Sequence, residues 1–188
     1  LLDSYHEERH GVFASTARDF IEKAIEADRT FLESHDPARD AAALAEAWAA
    51  RGQGAIAEVN AFEPNYRGST LVWGIAGAAC NALGSHDLRA EAGRHLAPQL
   101  LSDGRNVYET LGAGFTLLAF GQDEAVIQRF AAEAAKLQLP LTLVQASPEG
   151  DCKHYGAGLV LVRPDQFVAW AGDVAADVAG ILKRVVGY

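Results

Sequence analysis

The sequence predicts an α/β chain in two parts, an N-terminal helical hairpin followed by a sheet-bearing domain. Three patterns carry that prediction. Apolar residues recur at alternating spacings of four and three through residues 12–32, as on one helix face. Two largely apolar runs, FTLLAF and LTLVQA, flank a second stretch of helical spacing. A last pair of apolar runs brackets a Pro-Asp turn. The 188 residues are 49% hydrophobic with mean hydropathy near zero, enough to build a core and to exclude global disorder. The formal charge of -9 and a pI near 5.1 exclude a nucleic-acid partner, because nothing supplies a basic stripe. No apolar run reaches the roughly 18 residues a membrane span needs, and no signal peptide opens the chain. No membrane partner is therefore expected. Cys80 and Cys152 lie far apart and form no C-x-x-C, which favours a reducing, cytoplasmic compartment and two ordinary thiols. The chain lacks methionine and begins Leu1-Leu2-Asp3, so it is expected to be a piece of a longer protein.

The elements follow in order. Phe13, Ala17, Phe20, Ala24, Ala27 and Phe31 form one apolar stripe of a long first helix, widened by Val12, Ile21, Ile25 and Leu32. Asp3 or Ser4 is its expected N-cap, and Asp36-Pro37 ends it and starts the next. The second helix is expected over 37–51, with Leu44 and Trp48 at helical spacing, a break near Gly52-Gln-Gly54, and a resumption toward Val59. These residues, 1–61, read as a helical hairpin too narrow to bury both its faces alone. Residues 62–94 read as an irregular connector with one strand at Ser69–Trp73. From about residue 95 to 188 the pattern clears. A short strand around Gln99–Leu101 meets the turn Ser102-Asp103-Gly104-Arg105. A short helix follows over 106–111, then a buried strand at Phe115–Phe120. Asp123 caps a helix through Leu137, with Val126, Ile127, Phe130, Ala134 and Leu137 facing inward. Leu141–Ala146 is a second buried strand, and Leu159–Val162 with Phe167–Trp170 is a hairpin around Arg163-Pro164-Asp165. Asp173 caps a last helix carrying Val174, Val178, Ile181, Leu182 and Val185. A β-α-β pair, a hairpin and a final helix, with helices covering both sheet faces, is a thioredoxin-like arrangement.

Each chemical motif has a plainer reading. A redox site of that fold needs a thiolate at the N-terminus of the helix after the first buried strand, where the helix dipole favours it. That corner reads Phe120-Gly121-Gln122-Asp123-Glu124, so the domain is expected to lack its redox C-x-x-C. The opening HEERH fits H-E-x-x-H, in which His6 and His10 would hold zinc and Glu7 act as general base. A third ligand is missing: Gly11-Val12-Phe13 follow His10, while Glu22, Glu26 and Glu33 lie too far along the same helix. His35, His86, His95 and His154 supply no rescuing spacing, so no metal is expected. Ser85-His86-Asp87 are adjacent, which prevents a triad. Gly112-Ala-Gly114 ends a helix before a strand, the reverse of a phosphate cradle, and reads as a C-cap. Trp48, Trp73 and Trp170 read as core. No residue is assigned a catalytic, cofactor-binding or metal role.

Four stretches carry a resemblance to a family. LLDSYHEERHGV resembles the L-L-x-S-Y-x-x-E-R-x-P-V segment that closes the FAD-binding region of flavin-dependent aromatic-ring hydroxylases, the phenol, 3-(3-hydroxyphenyl)propionate and polyketide hydroxylase type of class A flavoprotein monooxygenases. NYRGSTLV is similar to their Y-x-G-S-P-L element. AGRHLAPQLLSDGRNVYETLGAGFTLLAFG is similar to their R-x-P-x-x-L…DG…FTLL run, and YGAGLVLVRPDQFVAW resembles their Y-G-A-x-x-V-L-V-R-P-D-G-x-V-A-W hairpin. In this pattern His6 and Glu7 fall at variable positions, so HEERH reads as an accident of a helix surface. Tyr5, Glu8 and Arg9 match the pattern and are expected to pack and ion-pair against a missing flavin domain. Gly11 stands where proline is common, Thr70 where proline is frequent, and Gln166 where the hairpin has glycine; the last change bears on the turn type.

The resemblance implies a parent that uses NAD(P)H to reduce FAD and then hydroxylates an activated aromatic ring with oxygen. The G-x-G-x-x-G fingerprint and the family's other flavin-contacting motifs are not in these residues. The expectation is a C-terminal fragment with a structural or oligomerisation role and no catalysis or cofactor of its own. Its partners would be the missing N-terminal FAD and substrate domain and a second copy, met through the helical hairpin. The alternative is a stand-alone thioredoxin-like redox or peroxidase protein.

Overall fold

The computed structural model describes residues 2–149 and 151–188, and side chains except those of residues 1–3, 52–58 and 150–152. The first helix runs from residue 2 to 34, α-helical at each end (α1, Leu2–Ser15; α2, Lys23–Ser34) and π-helical over Thr16–Glu22. It begins ahead of both expected caps; Asp3's side chain lies outside the described residues. A π turn takes more residues than an α turn, so faces in phase before it fall out of phase after it. That breaks the expected single stripe. Phe20 and Phe31 are buried, whereas Phe13 is 75% exposed and Ile21, Ile25 and Leu32 are exposed as well.

The second helix, α3 (Ala41–Ala61), starts later than expected. Asp40 caps it by accepting from the Ala43 N–H at 2.9 Å. Its backbone continues through Gly52-Gln-Gly54, where a break was expected, although the side chains there lie outside the described residues. The two helices meet where the Arg51 guanidinium lies 4.6 Å over the Phe31 ring, beside Trp48, and pairs with Asp28.

A two-stranded antiparallel sheet follows, β1 (Phe62–Asn65) with β2 (Asn81–Leu83), against which α1 packs. Gly11 is required here: a Cβ on it would meet the Cys80 carbonyl at 2.6 Å. The expected strand at Ser69–Trp73 is a turn. The Ser69 N–H donates to the Tyr66 carbonyl, and the Ser69 Oγ accepts from Leu71 N–H. The expected strand at Gln99–Leu101 is reduced to one bridge between Leu100 and Asn106. Asn106 then caps a 3-10 turn, Val107–Thr110, in a capping box closed by Glu109.

The main sheet holds β3 (Phe115–Phe120), β4 (Leu141–Ala146), β5 (Leu159–Val162) and β6 (Val168–Gly172) in the order β4-β3-β5-β6. β3 and β4 are parallel, joined by α4 (Glu124–Lys136), which Asp123 caps; the other pairings are antiparallel. The last helix, α5 (Val178–Val185), is capped by Asp177 and not by Asp173. Asp173 instead accepts from the Gly158 N–H, and Val174 is exposed. The shift has a simple cause: both aspartates precede apolar residues, and only Asp177 stands directly before the helical face.

The helices do not cover both faces. α4 and α5 share one, burying Leu117, Ile127, Phe130, Leu161, Trp170 and Leu182. The other face is covered by irregular chain, with Leu96, Leu101, Val107 and Tyr155 over Leu118, Phe120, Val160 and Val162. The connecting segment also closes the β6 edge. Trp73 N–H donates to the Ala169 carbonyl, Gly93 N–H to the Val168 carbonyl, and Val168 N–H to the Arg94 carbonyl. Gly112 and Gly114 have no left-handed backbone and are not C-caps; a Cβ on either would strike Thr142 or Pro140. Of the tryptophans, only Trp170 is core; Trp48 and Trp73 are exposed. No helix among the described residues is long and apolar enough to cross a membrane.

Candidate functional site

Helical geometry puts the residues of HEERH on two sides of α1. His6, Glu7 and His10 face solvent with the imidazole rings 5.3 Å apart. Glu8 points inward and is buried. Its carboxylate accepts a fork from Arg163, Nη1 to Oε1 at 2.5 Å and Nη2 to Oε2 at 3.0 Å, and the Ser69 hydroxyl donates to Oε1 at 2.5 Å. Arg163 also grips Asp165 and lies 5.5 Å over the Tyr66 ring, which stacks on Phe167 at 4.2 Å. Burial works against the charge of Arg163, but Glu8 and Asp165 more than offset it and raise its pKa. This clasp ties the first helix to the β5–β6 turn. Glu8 was expected to pair across to a missing domain; it pairs within the chain because α1 lies against that turn. Tyr5 is exposed, with the Arg9 guanidinium 5.6 Å over its ring.

A carboxylate whose two oxygens are taken up by Arg163 and Ser69 is already occupied and is not poised to hold a cation. Among the described residues, no group of three or more His, Cys, Asp or Glu side chains is placed to hold a metal.

A second buried pair stands at Glu63 and Arg94, joined by Nε to Oε1 at 2.8 Å and Nη2 to Oε2 at 2.9 Å. The Ser85 and His86 N–H groups both donate to Glu63 Oε2 at 2.7 Å, so Ser85-His86-Asp87 wraps an anion and forms no triad. Burial pushes the Glu63 carboxyl up, but the His86 N–H, Arg94 and the Ser85 N–H outweigh it and hold the group below its ordinary value. Beside this pair opens a cleft of about 420 Å³, walled by Phe62, Leu88, His95, Tyr108 and Phe167. Two of its polar groups are turned to one backbone oxygen: Tyr108 Oη donates to the Leu96 carbonyl, and His95 Nδ1 lies 3.2 Å from it.

The β3–α4 corner carries no cysteine. Cys80 is a half-buried free thiol whose pKa burial raises, the opposite of an activated nucleophile. The side chain of Cys152 lies outside the described residues. The glycines at 112 and 114 serve close packing against β4 and leave no room for a phosphate, so these residues do not fit a dinucleotide. The buried Glu8 and Glu63 networks were missed in the sequence because their partners lie far along the chain. One signal was available: charged residues, Glu8 and Arg163, inside otherwise patterned motifs.

Comparisons with known proteins agree in direction. A family model described as the C-terminal region of aromatic-ring hydroxylases matches residues 89–188. The FAD-dependent monooxygenase apdD of Emericella nidulans is 43% identical over 77 residues, which are 39% of this chain and 12% of that protein. Among solved structures, native and K252c-bound RebC-10x superposes with a TM-score of 0.73 at 28% identity, covering 99% of this chain and 37% of that one. A ternary complex of aklavinone-11 hydroxylase with FAD and aklavinone matches with a TM-score of 0.54 at 26% identity, over 68% of this chain and 27% of that one. The chain thus spans well under two thirds of the length of each relative.

Proposed function

Because the chain belongs to the aromatic-ring hydroxylase C-terminal family, we propose that it is the scaffolding portion of an FAD- and NAD(P)H-dependent aromatic monooxygenase. In such an enzyme a bound flavin supplies the oxygen-activating chemistry, and these residues supply none of it. The observation that carries the reading is the exposed side of the first helix. Phe13, Ile21, Ile25 and Leu32 stand in solvent on an element whose opposite side is locked down by Glu8, Ser15, Phe20 and Phe31. A soluble helix does not hold that much apolar surface open without a partner. We assign the face to the N-terminal FAD and substrate region, with a second copy of the chain completing a homodimer; the isolated chain also self-associates through the open face.

The division into residues 1–61, 62–94 and 95–188, the thioredoxin-like reading of the last part, the absence of catalytic, cofactor and metal residues, and a cytoplasmic location belong to the same proposal. The strand order and the single parallel pair support the fold reading. The stand-alone redox alternative has nothing in its favour at the β3–α4 corner. The test is turnover by the purified chain with FAD, NAD(P)H and phenolic substrates, and separately with disulfides and peroxide. No activity is expected in either. Robust Cys152-dependent reduction, or hydroxylation by the chain alone, would overturn the proposal.

A further inference from the structure

The cleft beside the Glu63–Arg94 pair is built like a small-molecule site. At about 420 Å³ it falls in the range of such sites, and its walls are mainly apolar with a few polar groups. Three aromatic rings, Phe62, Tyr108 and Phe167, line it, together with Leu88, which is exposed. The walls are held in place by the protein itself. Phe167 stacks on Tyr66 at 4.2 Å, and its backbone bridges to His95. Phe62 meets Phe20 edge-on at 5.2 Å. The loop that carries Leu88 is tied to Glu63 by the Ser85 and His86 N–H groups, with His86 in a left-handed backbone at φ 50°. Side chains already fixed lose little freedom when a ligand binds.

Hydrogen bonding fixes what the cleft offers. A carbonyl oxygen has no proton to give, so both groups turned to Leu96 donate to it, Tyr108 through Oη and His95 through Nδ1 at 3.2 Å. A neutral imidazole with its proton on Nδ1 has a bare Nε2, which can only accept. Tyr108 spends its proton on the same oxygen, and burial raises its pKa, so the hydroxyl stays uncharged. Asp87 adds a carboxylate. The Arg89 N–H at 3.0 Å, with the Arg89 and Arg94 guanidinium groups, holds it below its ordinary range. The residues that wall the cleft include no lysine and no arginine. The cleft therefore presents acceptors and aromatic faces.

We propose that this cleft binds a neutral, planar aromatic molecule carrying an O–H or N–H donor, its ring against Phe62, Tyr108 and Phe167 and its donor on His95 Nε2. An aromatic carboxylate is disfavoured, because it would face Asp87 and Glu63 with no free cation to meet it. An aromatic without a donor keeps the ring contacts and loses the hydrogen bond. The site shares no wall residue with the exposed helical face of Phe13, Ile21, Ile25 and Leu32, and it stands whether or not a flavin region completes the protein.

Calorimetric titration of the full chain with 2-naphthol, its methyl ether and 2-naphthoate tests the proposal without any variant. One equivalent of 2-naphthol is expected to bind per chain, the methyl ether roughly tenfold more weakly, and 2-naphthoate not measurably. Variants then locate the site. His95→Phe keeps a ring beside Phe167 and removes the acceptor, so 2-naphthol is expected to fall to the level of its methyl ether. Leu88→Trp fills the cleft from an exposed position and is expected to abolish binding. Ile25→Glu, on the helical face, is expected to leave it unchanged. Circular dichroism checks that each variant is folded. Equal affinity for all three compounds, or no binding of any, overturns the proposal. So does 2-naphthol binding that is indifferent to Leu88→Trp, or a preference for 2-naphthol over its ether that survives His95→Phe.

Discussion

The sheet half and the helical half carry similar apolar content and spend it differently. In the sheet half, Leu117, Leu118, Val160 and Leu161 are wholly buried, and each face is covered, one by α4 and α5 and the other by irregular chain. In the helical half, Phe20 and Phe31 are buried while Phe13, Ile25 and Leu32 stand open a turn or two away. A sheet of alternating side chains finds its cover locally, from helices a few residues along. A long helix can cover only one side of itself with a short neighbour. The sheet half thus buries its apolar residues within the chain, and the helical half leaves on its surface the apolar side that the proposed function assigns to a partner.

The largest effect that can break this comparison is truncation of matched phenylalanines. Phe130→Ala is expected to cost about 4 kcal/mol by opening a cavity in the sheet core, whereas exposed Phe13→Ala stays within about 0.5 kcal/mol. Urea unfolding of the two variants measures it. Equal losses would mean that the Phe13 face is packed after all.

The clasp between the halves comes next. Glu8→Ala leaves Arg163 largely buried with only Asp165, and about 3 kcal/mol of stability is expected to be lost. A loss below about 1 kcal/mol would show that α1 is held by apolar contact alone. Denaturation followed by tryptophan fluorescence is suitable, because Trp170 lies in the sheet core.

Matched helix caps sharpen the contrast further. Asp177→Ala removes the cap of a helix that covers the core and is expected to lower global stability by about 1 kcal/mol. Asp40→Ala removes the equivalent cap of α3, in the exposed hairpin, and is expected to fray that helix with less than half the global effect. Comparing urea midpoints with far-ultraviolet circular dichroism distinguishes the two. The smallest expected effect is a gain. Gln166 holds φ at 69° in the β5–β6 turn, a left-handed backbone that glycine adopts without strain, so Gln166→Gly should raise stability by about 1 kcal/mol.

What was legible in the sequence follows the same line. FTLLAF, LTLVQA and the Pro-Asp hairpin were readable because a short apolar run and a turn are local facts. The cap at Asp123 was readable for the same reason. The first helix was readable as a helix and misread as a face, because a π segment shifts phase without changing composition. The strand expected at Ser69–Trp73 rested on residue type, and tertiary hydrogen bonds overrode it. The covering of the second sheet face by residues 96–107, and the Glu8–Arg163 and Glu63–Arg94 pairs, depend on contacts across distant chain, which no local pattern records.

The central claim is that the helical face of this chain completes a larger flavin hydroxylase while the sheet half stands by itself. Hydrogen exchange tests it most directly, with amides of residues 13–32 and of β3 and β5 compared between this chain and the longer hydroxylase to which the proposed function assigns it. Amide exchange reports the free energy of local opening, so docking must slow it where contact is made. The account predicts strong added protection across the first helix in the longer protein and little change in β3 and β5. Equal exchange of the helix in both proteins would contradict it.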